Sequence, residues 1–260
     1  MKNYRQRRRR NIVLLLITVG VVLAGDALFS LRMHRMPILS GWVLLLSIFG
    51  LALYNVRKKL PFLPLGSSAA WLQLHIYVGQ VTLALFAVHV RWRIPNGLLE
   101  GVLAILYLLV FTSGVLGLFI TRLFPRRMTA RGGEVIYETI PAMRRQVHEK
   151  VEKLVSEGLQ ETNSTAVAEI YLEHLKTYFD RAQGFWSHLF HTRRRQQKLL
   201  QELQWKMRYL SDAEKQTLQQ IIECVHSKES LDYHDAHQST LKYWLFLHLP
   251  LTYALVAFAI

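Results

Sequence analysis

The sequence predicts an all-α fold: a membrane helical bundle of about five transmembrane helices, with a helical cytoplasmic insertion between the fourth and the fifth. Three observations predict it. The chain of 260 residues is 51% hydrophobic, and its apolar residues gather into five separate runs of the roughly 20 residues that a bilayer span needs. Basic clusters flank those runs. A single long polar stretch, with apolar residues at helical spacing, interrupts the series.

The runs are Asn11–Leu31, Pro37–Val56, Ala69–Val90, Leu98–Phe124 and Leu241–Ile260. The first is too long for the apolar core of a signal peptide and has no evident small-residue cleavage site, so it reads as a retained span. Pro61 and Pro64 break the loop between the second and third runs, and Pro95-Asn-Gly97 is a turn signal between the third and fourth. The chain thus divides into a four-helix transmembrane region at 1–124, an insert at 125–240, and a fifth helix at 241–260 that completes the bundle. Within the insert, Pro141 suits the first turn of a helix running to about Gly158. Residues 164–184 and 185–210 show helical periodicity. Ser211-Asp-Ala-Glu214 is a capping box opening a further helix. Val135–Tyr137 reads as a short extended piece.

The formal net charge of +14 would suit a nucleic-acid partner, but the charges sit where the positive-inside rule puts them. Arg5 and Arg7–Arg10 precede the first span, Arg57, Lys58 and Lys59 follow the second, and Arg122, Arg126, Arg127 and Arg131 follow the fourth. An even number of crossings separates these clusters. The expected topology therefore places the N-terminus and the insert in the cytoplasm of a prokaryotic inner membrane, in contact with lipid and not with nucleic acid. The runs of Lys and Arg in the insert, such as Arg193–Arg195, read as a solvated face or as a contact with anionic headgroups. One cysteine, Cys224, rules out an intrachain disulfide and a four-cysteine Fe–S cluster, and no C-x-x-C-H attaches a c-type haem. No phosphate loop or dinucleotide fingerprint is present.

Ionisable residues inside a span are costly and are functional candidates. In the third run His75 and His89 stand 14 residues apart, which leaves them roughly 40° apart around a helix and roughly 21 Å apart along it. Two haems stacked across a membrane need about that separation, and neutral imidazole is a good axial ligand for haem iron. Gly79, one turn beyond His75, either admits a porphyrin to the backbone or packs helices together. A second ligand should come from a parallel helix at matching depth. The fifth run supplies His248, so His75 and His248 are expected to hold an inner haem, with Pro250 bending the helix beside them. The partner of His89 on an outer haem would fall just beyond Ile260, which suggests a chain that continues; His34, in the loop after the first span, is the alternative within these residues. Arg91 and Arg93, beside His89, could meet haem propionates, as Arg122, Arg126 or Lys242 could on the inner side, although topology explains all five equally.

A span with two histidines 14 residues apart, paired with a later parallel span, resembles the diheme membrane cytochrome b family, whose relatives include the cytochrome b of quinol-oxidising complexes and ferric-reductase-like membrane cytochromes. The Phe124-Pro-Arg-Arg exit and the Leu-Asp-Tyr-His234 approach to Trp244 and His248-Leu-Pro-Leu-Thr also resemble a group of bacterial membrane b-type cytochromes. The resemblance covers the five spans and not the insert. It implies haem b, in two copies, with bis-histidine ligation at His75 and His248 and at His89 with a partner absent from these residues. It also implies electron transfer within an oxidoreductase complex, between a quinol pool or cytoplasmic donor and an external redox subunit such as a cytochrome or an iron–sulfur protein. His234 and His237, just before the fifth run, are candidates for a quinone or proton site, or else interfacial helix residues. His174, His188 and His191 have weak metal-ligand spacing and are assigned to the surface, Cys224 to packing, and Asp26 to a pair with Arg32 or Arg35. The alternative function is a non-haem structural or assembly subunit with interhelical hydrogen-bonding histidines. A transporter would need a repeat with matched broken helices, and only Pro250 interrupts a span.

Overall fold

In the computed structural model, residues 2–30, 36–59, 66–129, 135–180, 185–189 and 194–260 are described. Among them the fold is all-α. The long helices are α1 (Lys2–Ser30), α2 (Met36–Lys59), α3 (Ser68–His89), α4 (Leu98–Thr129), α5 (Ile140–Thr162), α9 (Arg194–Met207) and α10 (Asp212–Ala259). Between α5 and α9 lie the short α6 (Ala166–Ile170), α7 (Lys176–Asp180) and α8 (Phe185–Leu189), with one π-helical turn, Tyr171–Leu175, joining α6 to α7. Five helices, α1 to α4 and α10, are long and apolar enough to cross a membrane.

The chain forms two compact units. The first comprises residues 1–119 with 244–260, the second residues 120–243. In the first, α2 packs along α3, and α1 lies against α3. Its small core is built from Leu44, Ile48, Leu85, Tyr107 and Leu255. Large apolar side chains such as Leu16, Val21, Leu46, Phe119 and Phe246 point outward, an inversion that suits hydrocarbon rather than water as the surrounding solvent. Asn55 on α2 donates to the Tyr253 hydroxyl on α10 at 2.7 Å. Polar bonds of this kind supplement packing between helices that gain nothing from the hydrophobic effect in lipid.

Three local signals have visible causes. Ser67 caps α3, its hydroxyl accepting from the Ala70 amide. Pro141 occupies the first turn of α5, and Asn163 ends that helix in the left-handed conformation at φ 51°. At the start of α10 the capping box closes: the Ser211 amide donates to Glu214 at 2.8 Å, and the Glu214 amide donates back to the Ser211 hydroxyl at 3.5 Å.

Two helices run on where composition suggested an end. α4 passes through Pro125 to Thr129, helped by the basic Arg126 and Arg127 in its last turn, which oppose the helix dipole. α10 holds 48 residues in a single helix, about 72 Å long at 1.5 Å per residue. Between Asp212 and Leu249 it contains no Gly or Pro, so the change from polar to apolar residues near Leu241 marks a change of surroundings and not a break. It also continues through Pro250. Ile136 is extended, as its neighbours suggested, but Tyr137–Thr139 forms a 3-10 turn.

The second unit has a conventional apolar core. Val151, Leu175, Leu203, Leu218, Ile221 and Val225 are fully buried, and Cys224 is buried among them. Beside it lies a charged knot. Lys228 and Asp232, each 2% exposed, pair at 2.7 Å, while Arg144 of α5 bridges Asp232 at 2.6 Å and Asp235 at 2.8 Å. The Tyr178 ring lies 4.5 Å from the Lys228 ammonium. Such charges are tolerated in a core only because each meets an opposite one.

Hydrogen bonds from Ser164, and then from the amide and hydroxyl of Ser211, hold the Glu214 carboxyl below the usual carboxylate range. A lowered folded pKa means that the stabilisation is complete above the unfolded value and fades as pH falls through the folded one. Ser211→Ala is expected to cost about 1 kcal/mol at this helix start, seen as roughly fivefold faster amide hydrogen exchange in the first turn of α10. In the wild type the same turn should lose protection on acidification below about pH 4.3, the ordinary glutamate value.

Candidate functional site

A cavity opens among α2, α3, α4 and α10 of the first unit. The empty space within it measures about 710 Å³, part of which is open to the surroundings. Its walls are mainly apolar, contributed by Ile48 and Leu51 of α2, Ile76 of α3, Val110, Phe111, Val115 and Leu118 of α4, and Leu255 of α10. Two imidazoles line it, His75 from α3 and His248 from α10. They are the pair that helix direction and depth singled out.

His248 is held on two sides. Its Nδ1 lies 2.7 Å from the Ser113 hydroxyl, and the Trp244 ring, one turn earlier on α10, stacks on it with centroids 5.5 Å apart and planes 21° apart. Trp244 donates its indole N–H to the Ser113 carbonyl at 2.8 Å. The indole reaches that carbonyl because residue 117 is glycine: a Cβ there would run into the Trp244 ring. At Gly114 a Cβ would stand 3.6 Å from His248 Cε1, an ordinary contact. Thr252 donates to the His248 carbonyl at 2.8 Å, capping a turn in which Pro250 supplies no amide donor. His75 has Tyr54 as an aromatic neighbour, with centroids 5.2 Å apart and the rings tilted by 39°.

Gly79 lines the same cavity, and a Cβ built on it would meet nothing within 4 Å. Close packing against a neighbouring helix therefore does not account for this glycine; open space faces it. Its carbonyl accepts from the Thr82 hydroxyl at 2.7 Å, and Thr82 accepts from the Tyr107 hydroxyl at 3.1 Å. This chain fastens the cavity wall of α3 to α4, with the Phe86 ring stacked on Tyr107 at 4.3 Å.

His89, the last residue of α3, does not line this cavity and is exposed. Its ring lies over α2 at Gly41, where a Cβ would come within 2.8 Å of His89 Cε1. Arg91 and Arg93 are exposed in the turn that follows, and Arg91 and Trp92 both adopt positive φ, 51° and 56°. His34 lies outside the described residues, as do His191, Arg32, Arg35 and Arg131 and the loop prolines Pro61 and Pro64.

His234 and His237 belong to the second unit and are buried there. His237 donates from Nδ1 to the Tyr233 carbonyl at 2.9 Å, lies 4.1 Å from the Tyr233 ring, and meets the edge of Phe124 at 4.7 Å. Lys242 bonds Glu138 at 2.7 Å and lies 3.7 Å from the Tyr137 ring, and its hydrogen bond holds the Glu138 carboxyl below the usual range. His188, expected at the surface, is buried beside Glu229 at 3.4 Å, because α8 turns it inward. His174 lies half-buried near Glu173. Among the described residues no group of three or more His, Cys, Asp or Glu side chains is placed to hold a metal ion.

Ser113, Gly114, Gly117 and Trp244 were not foreseen as parts of a site. The small residues of Thr112-Ser-Gly-Val-Leu-Gly117 and the spacing of Trp244 one turn before His248 were signals available for them.

The donor set suits a haem: two imidazoles on different helices, one apolar cavity, and a wall glycine, Gly79, that faces open space. No family model, no curated protein and no solved structure matches the chain.

The two glycines make opposite predictions. Gly117→Leu should displace Trp244 and lower the melting temperature of the full chain, an overpacking cost of about 1–3 kcal/mol. Gly79→Leu should leave that temperature nearly unchanged, since the added side chain enters open space.

Proposed function

We propose that this chain is a membrane electron-transfer protein, most economically a subunit of an oxidoreductase complex, that holds haem b between His75 and His248. The observation that carries the reading is that these two histidines, on α3 and α10, line one apolar cavity. Bound there, haem supplies a one-electron couple. The protein's own residues supply the rest. The two imidazoles would hold the iron from separate helices, the apolar wall would exclude water, and Gly79 would leave the backbone of α3 accessible. With no C-x-x-C-H in the sequence there is no usual thioether attachment, so the haem would be the non-covalent b type.

A second haem at His89 belongs to the same proposal, since α3 carries both histidines at the separation that two stacked haems require. Within this sequence His34 is the candidate for its other ligand. In the expected orientation, N-terminus and insert on the cytoplasmic side, electrons would pass between a quinol pool or cytoplasmic donor and an external redox subunit. His234 and His237 remain the proposed sites of proton or quinone chemistry near the inner surface.

The Ser113–His248 bond also favours a second reading, a non-haem assembly subunit in which that bond joins helices. Haem content separates the two. In the reduced-minus-oxidised optical spectrum of the purified full chain, with haem quantified, a b-type signal is expected. His75→Ala and His248→Ala should each remove the same haem, and His89→Ala should leave it in place. A folded, haem-supplied preparation with no haem would overturn the electron-carrier reading in favour of the assembly subunit.

A further inference from the structure

We infer that Ser113 is a positioning residue that decides which nitrogen of His248 faces the cavity, and that its hydroxyl lowers the midpoint potential of the haem held there. The inference rests on the haem reading above and deepens it. The Ser113 hydroxyl has one proton, and it donates that proton to the Val110 carbonyl at 2.8 Å. Its oxygen, 2.7 Å from His248 Nδ1, must therefore accept from an Nδ1–H. A neutral imidazole protonated at Nδ1 carries its lone pair on Nε2, and Nε2 is the nitrogen left for a metal.

A second, independent contact fixes the ring. Trp244 stacks on one face of His248 while its indole N–H grips the carbonyl of the same Ser113, an approach that Gly117 makes possible. One residue of α4 is thus held twice by α10, through its side chain and through its backbone. The imidazole is held at one edge and over one face, which opposes a ring flip, and the tautomer protonated at Nδ1 is the one that keeps both the Ser113–Val110 and the Ser113–His248 hydrogen bonds.

The electronic consequence follows from the hydrogen bond. An acceptor on the outer N–H of a metal-bound imidazole raises the basicity of the ligand. A more basic ligand stabilises the oxidised iron more than the reduced iron, and the potential falls. Removing the acceptor should reverse this.

The experiment is a redox titration of the haem in the full chain, in nanodiscs, for wild type, Ser113→Ala, Ser113→Thr and Ser113→Cys. Ser113→Ala should shift the equilibrium toward the reduced form by about three- to tenfold, the size of one net hydrogen bond, where tenfold is about 59 mV for a one-electron couple. Ser113→Thr keeps the hydroxyl and should keep the wild-type potential. Ser113→Cys, a weaker acceptor, should give a smaller rise in the same direction, and it decides the sign if the alanine variant does not retain haem. Haem retained with an unchanged or lowered potential in Ser113→Ala, or in Ser113→Cys where that variant decides, overturns the inference while leaving the haem reading intact. Wild-type protein without haem overturns both.

Discussion

An imidazole placed among apolar side chains in a membrane-spanning unit must have its polar atoms satisfied, because hydrocarbon offers no hydrogen bonds to replace those of water. The first unit is arranged around that constraint. Ser113 takes one nitrogen of His248, Trp244 covers its face, and glycine at 117 lets the indole come close enough to do so. The cost of this arrangement is borne by α4, which gives up a side chain at 117. What remains is a cavity bounded by α2, α3, α4 and α10, with a second imidazole, His75, on its wall.

The second unit obeys different rules. Its core is apolar, and its charged knot of Arg144, Lys228, Asp232 and Asp235 is internally compensated. The junction between the two chemistries is not a loop. α10 carries Lys228 and Asp232 in one unit and Trp244 and His248 in the other, so the residues before Leu241 are not a separable linker. The five apolar helices are those of an integral membrane protein; what this protein does there rests on the histidines.

Much of this was legible in the sequence, for reasons that can be named. Apolar runs, Pro141, the Ser211–Glu214 box and the spacing of His75, Gly79 and His248 are local or periodic signals, and each has its counterpart in the fold. The boundaries after Phe124 and before Leu241 were read as ends because composition changed, yet a helix ends only where its hydrogen bonding fails, and neither place provides that failure. The inward turn of His188 and the burial of His234 and His237 depend on which helices pack against α8 and α10, which periodicity alone does not contain. The role of Ser113 required two helices to be brought together: serine in an apolar span is too common to point to His248 135 residues away. For His89 the structure identifies a neighbour, Gly41.

The most direct test of the central claim, that His75 and His248 face one another as a ligand pair, is low-temperature electron paramagnetic resonance of the oxidised, haem-loaded full chain. The account predicts a low-spin ferric signal from this site in the wild type, conversion of that signal to high spin in His75→Gly and equally in His248→Gly, and return to low spin when free imidazole is added to either variant. If neither substitution converts any of the low-spin signal to high spin, or if the wild-type site is already high spin, the claim is contradicted.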